Sequence, residues 1–139
     1  MRELFKTSIE EVFNANLGMK AEPCKSRPRG EGYLAQIPFS DGERSFVAEV
    51  WVQKKTLEKM AGVLLFDDAP DAQTLEDLVS ELGNFIVGHA KMVASDRNLP
   101  YKMGTPRFVG VGPLPAGKKP LLYKVEGRCV AIFLKDADG

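Results

Sequence analysis

The chain reads as an α+β domain, a mainly antiparallel sheet with helices packed on one face. Three observations predict this. Two pairs of short apolar runs are each joined by a tight turn, Asp41-Gly42 in one and Glu126-Gly127 in the other. Apolar residues recur at helical spacing in three further segments. The resulting order is helix, hairpin, helix, long helix, strand, hairpin, which lacks the strict strand-helix alternation of a parallel sheet.

The first helix spans about 3–16. Phe5, Ile9, Val12 and Phe13 share one face, while Glu10, Glu11 and Asn14 point away. "LGMKAEPCKSRPRGEG" follows, and its prolines and glycines break any helix. Lys25, Arg27 and Arg29 fall there, read as a solvated loop in preference to a phosphate site. "YLAQIPF" and "SFVAEVWVQ" form the first hairpin. In the second run Phe46, Ala48, Val50 and Val52 alternate with Val47, Glu49, Trp51 and Gln53, so one strand face is buried.

"KKTLEKMAGVLL" returns to helical spacing through Leu57, Met60, Val63 and Leu64. Asp67, Asp68 and Asp71 lie in the next linker without calcium-loop spacing. They favour the N-terminus of the following helix through its dipole. That helix runs from about Thr74 to Ala94. "RFVGVG" is a short strand, and "KPLLYKV" with "RCVAIFLKD" makes the second hairpin.

Composition excludes several function classes. At 139 residues the chain is one domain, 1–139, and its formal net charge of +0 gives no reason to expect nucleic acid or an anionic membrane as partner. The apolar runs are too short to span a bilayer, and no signal-peptide core opens the chain, so a cytoplasmic, reducing setting is expected. Cys24 and Cys129 are accordingly expected as free thiols, and neither has metal-site spacing. His89 is the only histidine, which disfavours zinc hydrolases and Ser-His-Asp enzymes.

Candidate chemistry concentrates on the long helix. At about 100° per residue, Leu75, Leu78, Leu82, Phe85, Ile86 and Val93 form one apolar arc. Asp77, Glu81, Asn84 and Gly88 form a narrow stripe on the other side, stacked at four-three-four spacing. Gly83 and Gly88 each cost about 1 kcal/mol relative to alanine in a helix interior. Two readings of them stand: close packing inside the domain, or close approach of a partner to the Glu81-Asn84 pair.

"DLVSELGNFIVGHAK", followed by Pro106, resembles the CheC/CheX/FliY phosphatases of bacterial chemotaxis, and CheX most closely. Asp77, Glu81 and Asn84 stand where that motif has Asp or Ser, Glu and Asn, although the interval to Pro106 is one residue shorter than usual. "EEVFNANLG", "KKTLEKMAGVLL" and "TPRFVGVG" match CheX in the same order, so the likeness covers nearly the whole chain. It implies a CheC/CheX-like fold and a phosphatase that hydrolyses the aspartyl phosphate of a CheY-like receiver.

The resemblance implies roles as well. Asn84 would orient the attacking water and Glu81 would dock to a regulator cation. Asp77 and Gly88 would contact the partner, and Pro106 would fix a loop without catalysing. No cofactor of its own is implied; Mg2+ is expected in the receiver. A homodimer is expected through sheet edges; Trp51, on the strand face opposite Phe46 and Val50, is read either as exposed, where it would contribute weakly to that interface, or as covering a second layer. Glu11 and Asn14 repeat the spacing, with Thr7 and Pro38 in the flanking positions, as a candidate second site. His89 is read as a hydrogen-bonded packing residue. Two other classes stay open: a non-catalytic receiver-binding or flagellar-switch adaptor, and a small-molecule enzyme of the hot-dog type using Glu81 as base. A carboxylate on a convex helix face disfavours the last.

Overall fold

The computed structural model describes residues 1–116 and 119–137. Seven strands form one antiparallel sheet: β1 (Ala21–Pro23), β2 (Glu31–Ser40), β3 (Ser45–Val52), β4 (Lys102–Met103), β5 (Arg107–Pro113), β6 (Leu121–Val125) and β7 (Arg128–Asp136). Their spatial order is β1-β6-β7-β3-β2-β4, and β5 also pairs with β2. The helices are α1 (Arg2–Glu11), α2 (Lys54–Leu64) and α3 (Ala72–Asp96). Both expected hairpins are present. Glu126 and Gly127 carry φ of 52° and 85°, the two positive values a type I′ turn needs. Asp41 closes the other turn by accepting the N–H groups of Glu43 and Arg44 at 3.0 and 2.8 Å.

β2 is the hub. One side pairs with β3 along its length, from Tyr33↔Val52 to Ser40↔Ser45. The other side meets β5 over Glu31–Gln36 and β4 at Phe39 and Ser40. Pro38 falls in the gap between those two partners, where a missing N–H costs no ladder bond. Its carbonyl accepts the Gly104 N–H at 2.7 Å.

The two sheet faces differ. Tyr33, Ala35, Ile37 and Phe39 of β2, with Ala48, Val50 and Val52 of β3, point into the main core against α1 and α3. The opposite face carries a smaller cluster of Trp51, Ala131 and Phe133, flanked by Leu34, Leu114 and Leu122. Trp51 is fully buried there and donates its indole N–H to the Gly112 carbonyl at 3.0 Å. Of the two readings of Trp51, exposed or covering a second layer, the second holds. A polar ladder crosses four strands of the same face. Arg107 donates to Gln36 at 2.7 Å, Gln36 donates to Glu49 at 2.8 Å, and Lys135 pairs with Glu49 at 3.2 Å. These partners satisfy Glu49, which would otherwise be a costly buried charge.

Four more expectations are adjusted. The helix expected over 3–16 ends its α-helical part at Glu11 and closes with a π-helical turn at Val12–Asn16. The loop after it contains β1, whose three residues pair with β6. Val63 of α2 faces solvent, and Leu57, Met60 and Ala61 form the buried side. Cys24 and Cys129, expected as free thiols, form a disulfide with Cα atoms 6.5 Å apart. Topology explains that pairing: Cys24 continues from β1, hydrogen-bonds Leu122 of β6, and so lies one strand away from Cys129 at the start of β7.

Candidate active site

Helix α3 presents every residue of the Glu-x-x-Asn motif, and its own caps explain its start. Asp71 is the N-cap and accepts the Thr74 N–H and hydroxyl at 2.9 and 2.8 Å. Those bonds, the backbone one first, hold the Asp71 carboxyl below the usual carboxylate range. From there the helix runs for 25 residues across the sheet.

Its inward face is centred on Val79, Leu82, Gly83, Ile86 and Ala90, all buried. Gly83 sits directly on the sheet. A methyl group there would collide with Ile37 and press on Val50 at 3.4 Å. Of the two readings of the glycines, close packing inside the domain therefore holds for Gly83. Gly88 differs. Its added methyl would meet only the Met103 sulfur, at an ordinary 3.7 Å.

The outward face carries the motif. Glu81 is exposed and Asn84 is partly exposed. Asn84 Nδ2 donates to Glu81 Oε1 at 3.5 Å. Flipping the amide would set two oxygens against each other, so the carboxylate selects one orientation and leaves Asn84 Oδ1 free to accept. Asp77, one turn earlier, accepts from Gln73 Nε2 at 2.9 Å and stands at the periphery. Pro106 immediately precedes β5, at the far end of the loop from β4. Among the described residues no cluster of three histidine, cysteine or acidic side chains could hold a metal ion.

Phe85 was expected in the core arc. It is 44% exposed, and it belongs to the outward face. The wheel shows why. Val79, Val87, Ala90 and Ala94, small or β-branched residues absent from the expected arc, draw the true core centre away from Phe85. Met92, two turns further on and 54% exposed, lies on the same outward line. The seven-residue step from Phe85 to Met92 was the signal in the sequence.

The repeat of the motif, Glu11 at the end of α1 and Asn14 in the π-helical turn after it, is differently placed. Glu11 is hydrogen-bonded to His89 Nε2 of α3, whose side chain is only 14% exposed. Asn14 Oδ1 accepts the Ala21 N–H at 3.1 Å, at the start of β1. Ser8 adds a buried hydrogen bond to the Ile86 carbonyl at 2.6 Å. His89 thus takes the hydrogen-bonded packing role expected of it, and it holds α1 to α3.

A helix-faced antiparallel sheet bearing Glu and Asn on its long outer helix defines the class: this chain has the fold of the CheC/CheX-type chemotaxis domains. CheX from Desulfovibrio desulfuricans superposes with a TM-score of 0.74 at 18% identity, over 96% of this chain and 97% of that one. CheX from Vibrio vulnificus gives 0.78 at 15% identity, over 96% and 94%. CheX of the CheX-CheY-BeF3-Mg2+ complex from Borrelia burgdorferi gives 0.63 at 16% identity, over 97% and 96%. No family model and no curated protein matches the chain.

Proposed function

We propose that this protein is a phosphatase that hydrolyses the aspartyl phosphate of a CheY-like receiver domain. One observation carries the reading: among the described residues the side chains of Glu81 and Asn84 bond only to each other, on the outer face of a rigid helix. Such a face suits a protein substrate whose phosphoryl group sits in a pocket of its own. Three surface cavities, of about 250, 280 and 230 Å³, are lined by other residues. The Borrelia burgdorferi neighbour was crystallised with CheY, BeF3 and Mg2+. In that complex BeF3 stands in for the phosphoryl group, which supports a phosphorylated receiver as the partner here.

The chemistry follows from the two side chains. Phosphoryl transfer needs positioning and charge stabilisation more than covalent help. Asn84 Oδ1 accepts a hydrogen from a water and turns its lone pair toward phosphorus. The leaving group is a carboxylate, so no strong base is needed at the site. Glu81 would be repelled by the phosphoryl group unless paired. It pairs with a receiver cation, and it fixes the amide through the bond it already accepts from Asn84. The receiver supplies Mg2+; this chain supplies none.

Phosphate release from an acetyl-phosphate-charged CheY-type receiver, with and without the protein, tests the reading. Accelerated release is expected. Binding without acceleration would replace the phosphatase by the receiver-binding or flagellar-switch adaptor reading.

A further inference from the structure

The outward face of α3 is polarised along its length. Its N-terminal half carries the acids Asp77 and Glu81, and its C-terminal half carries the exposed apolar side chains Phe85 and Met92, with Lys91 and Ser95 at the rim. Both apolar residues lie within the same 100° of the helix as Glu81, Asn84 and Gly88. Between them Gly88 leaves a saddle, and Met103 of β4 borders it. Phe85 to Met92 is about 10 Å along the helix. Isolated exposed apolar side chains need no explanation. Here two of them flank a glycine one turn beyond Asn84, and a third, polarizable, side chain adjoins that glycine.

Resting on the phosphatase reading, we propose that Phe85, Gly88 and Met92 form the apolar half of the receiver-docking face. The occupant is a receiver domain with a cation on one side of its acyl phosphate and an apolar surface patch on the other. Size supports one shared partner. A stable protein contact covers about 800 Å² on each side. Asn84 cannot be reached by a protein without covering the adjoining Phe85, whose Cα is about 3.8 Å away along the chain. Chemistry supports the division of labour. Exposed aromatic side chains that become buried dominate contact lifetimes, and methionine adapts to an irregular partner surface. The acidic half fixes direction, since reversing the partner would set its apolar patch against Asp77 and Glu81.

The test compares wild type, Phe85→Ala, Met92→Ala and the double variant against a beryllofluoride-loaded CheY-type receiver by calorimetry. Phe85→Ala is expected to weaken Kd about tenfold and Met92→Ala about threefold. KM for the phosphorylated receiver rises in step, kcat stays within a factor of two, and the melting temperature is retained because both residues are exposed. Kd and KM within a factor of two of wild type in the double variant would overturn the docking half. A wild type that binds the loaded receiver, loses binding with Phe85→Ala and yet releases no phosphate supports the docking face while refuting the phosphatase reading. Failure of the wild type to bind any loaded receiver overturns both.

Discussion

Helix α1 with its closing π-helical turn and helix α3 carry the same Glu-x-x-Asn spacing, and the fold treats the two copies in opposite ways. On α1, Glu11 is tied to His89 and Asn14 to the backbone of Ala21. On α3, Glu81 and Asn84 have each other and no further hydrogen-bond partner among the described residues. The first pair holds the domain together; the second is free to act on something else. A motif of two residue types is therefore only half of a site. The other half is whether neighbouring elements leave those groups unspent.

The contrast can be broken at either helix. The largest effect is expected at Asn84→Ala, which should lower the dephosphorylation rate about 100-fold, the scale of losing one positioned polar group from a transition state. Its melting curve should match wild type. Rate retained in full by that variant, and then lost when Asn14→Ala is added, would move the activity to α1. Next comes Glu81→Ala. It should weaken association with the phosphorylated receiver about tenfold, or 1.4 kcal/mol, read as a shift in KM or Kd. Unchanged affinity and rate would remove Glu81 from docking.

Asn14→Ala sharpens the other side of the comparison. It removes the acceptor for the Ala21 N–H and should cost about 1 kcal/mol in chemical denaturation, with no change in rate. The smallest effect is expected at Gly88→Ala. Its methyl group fits beside Met103, so helix propensity should raise stability by about 0.5–1 kcal/mol. Receiver binding should weaken, because the saddle is filled. The same change at Gly83 should instead lower stability, since Ile37 and Val50 occupy the space.

Much of this was legible in the chain. Alternation, turn dipeptides and helical spacing place both hairpins, α2, α3 and β5, because those signals are local. The exposed stripe was legible because charged and amide residues recur at one spacing. Features set by distant neighbours were not. Phe85 reads as core by its apolarity, and the buried Val79, Val87, Ala90 and Ala94 centre the core face away from it. Alternation places Trp51 on the face opposite Phe46 and Val50 and leaves open whether that face is covered. The second, smaller cluster that buries it depends on Leu114 and Leu122, more than sixty positions away. β1 contains a proline and only three residues, too few for any periodic signal.

The link between Cys24 and Cys129, separated by 105 positions, makes a closed covalent ring out of most of the chain. Helices α2 and α3 belong to that ring, and α1 lies outside it. Ring closure limits how far the enclosed part can wander once denatured. The tethering gives α1 no such restraint, so it can peel off with every covalent bond intact. Its hold on the body is the grip of Phe5, Ile9 and Phe13 together with the clasps at Ser8 and Glu11.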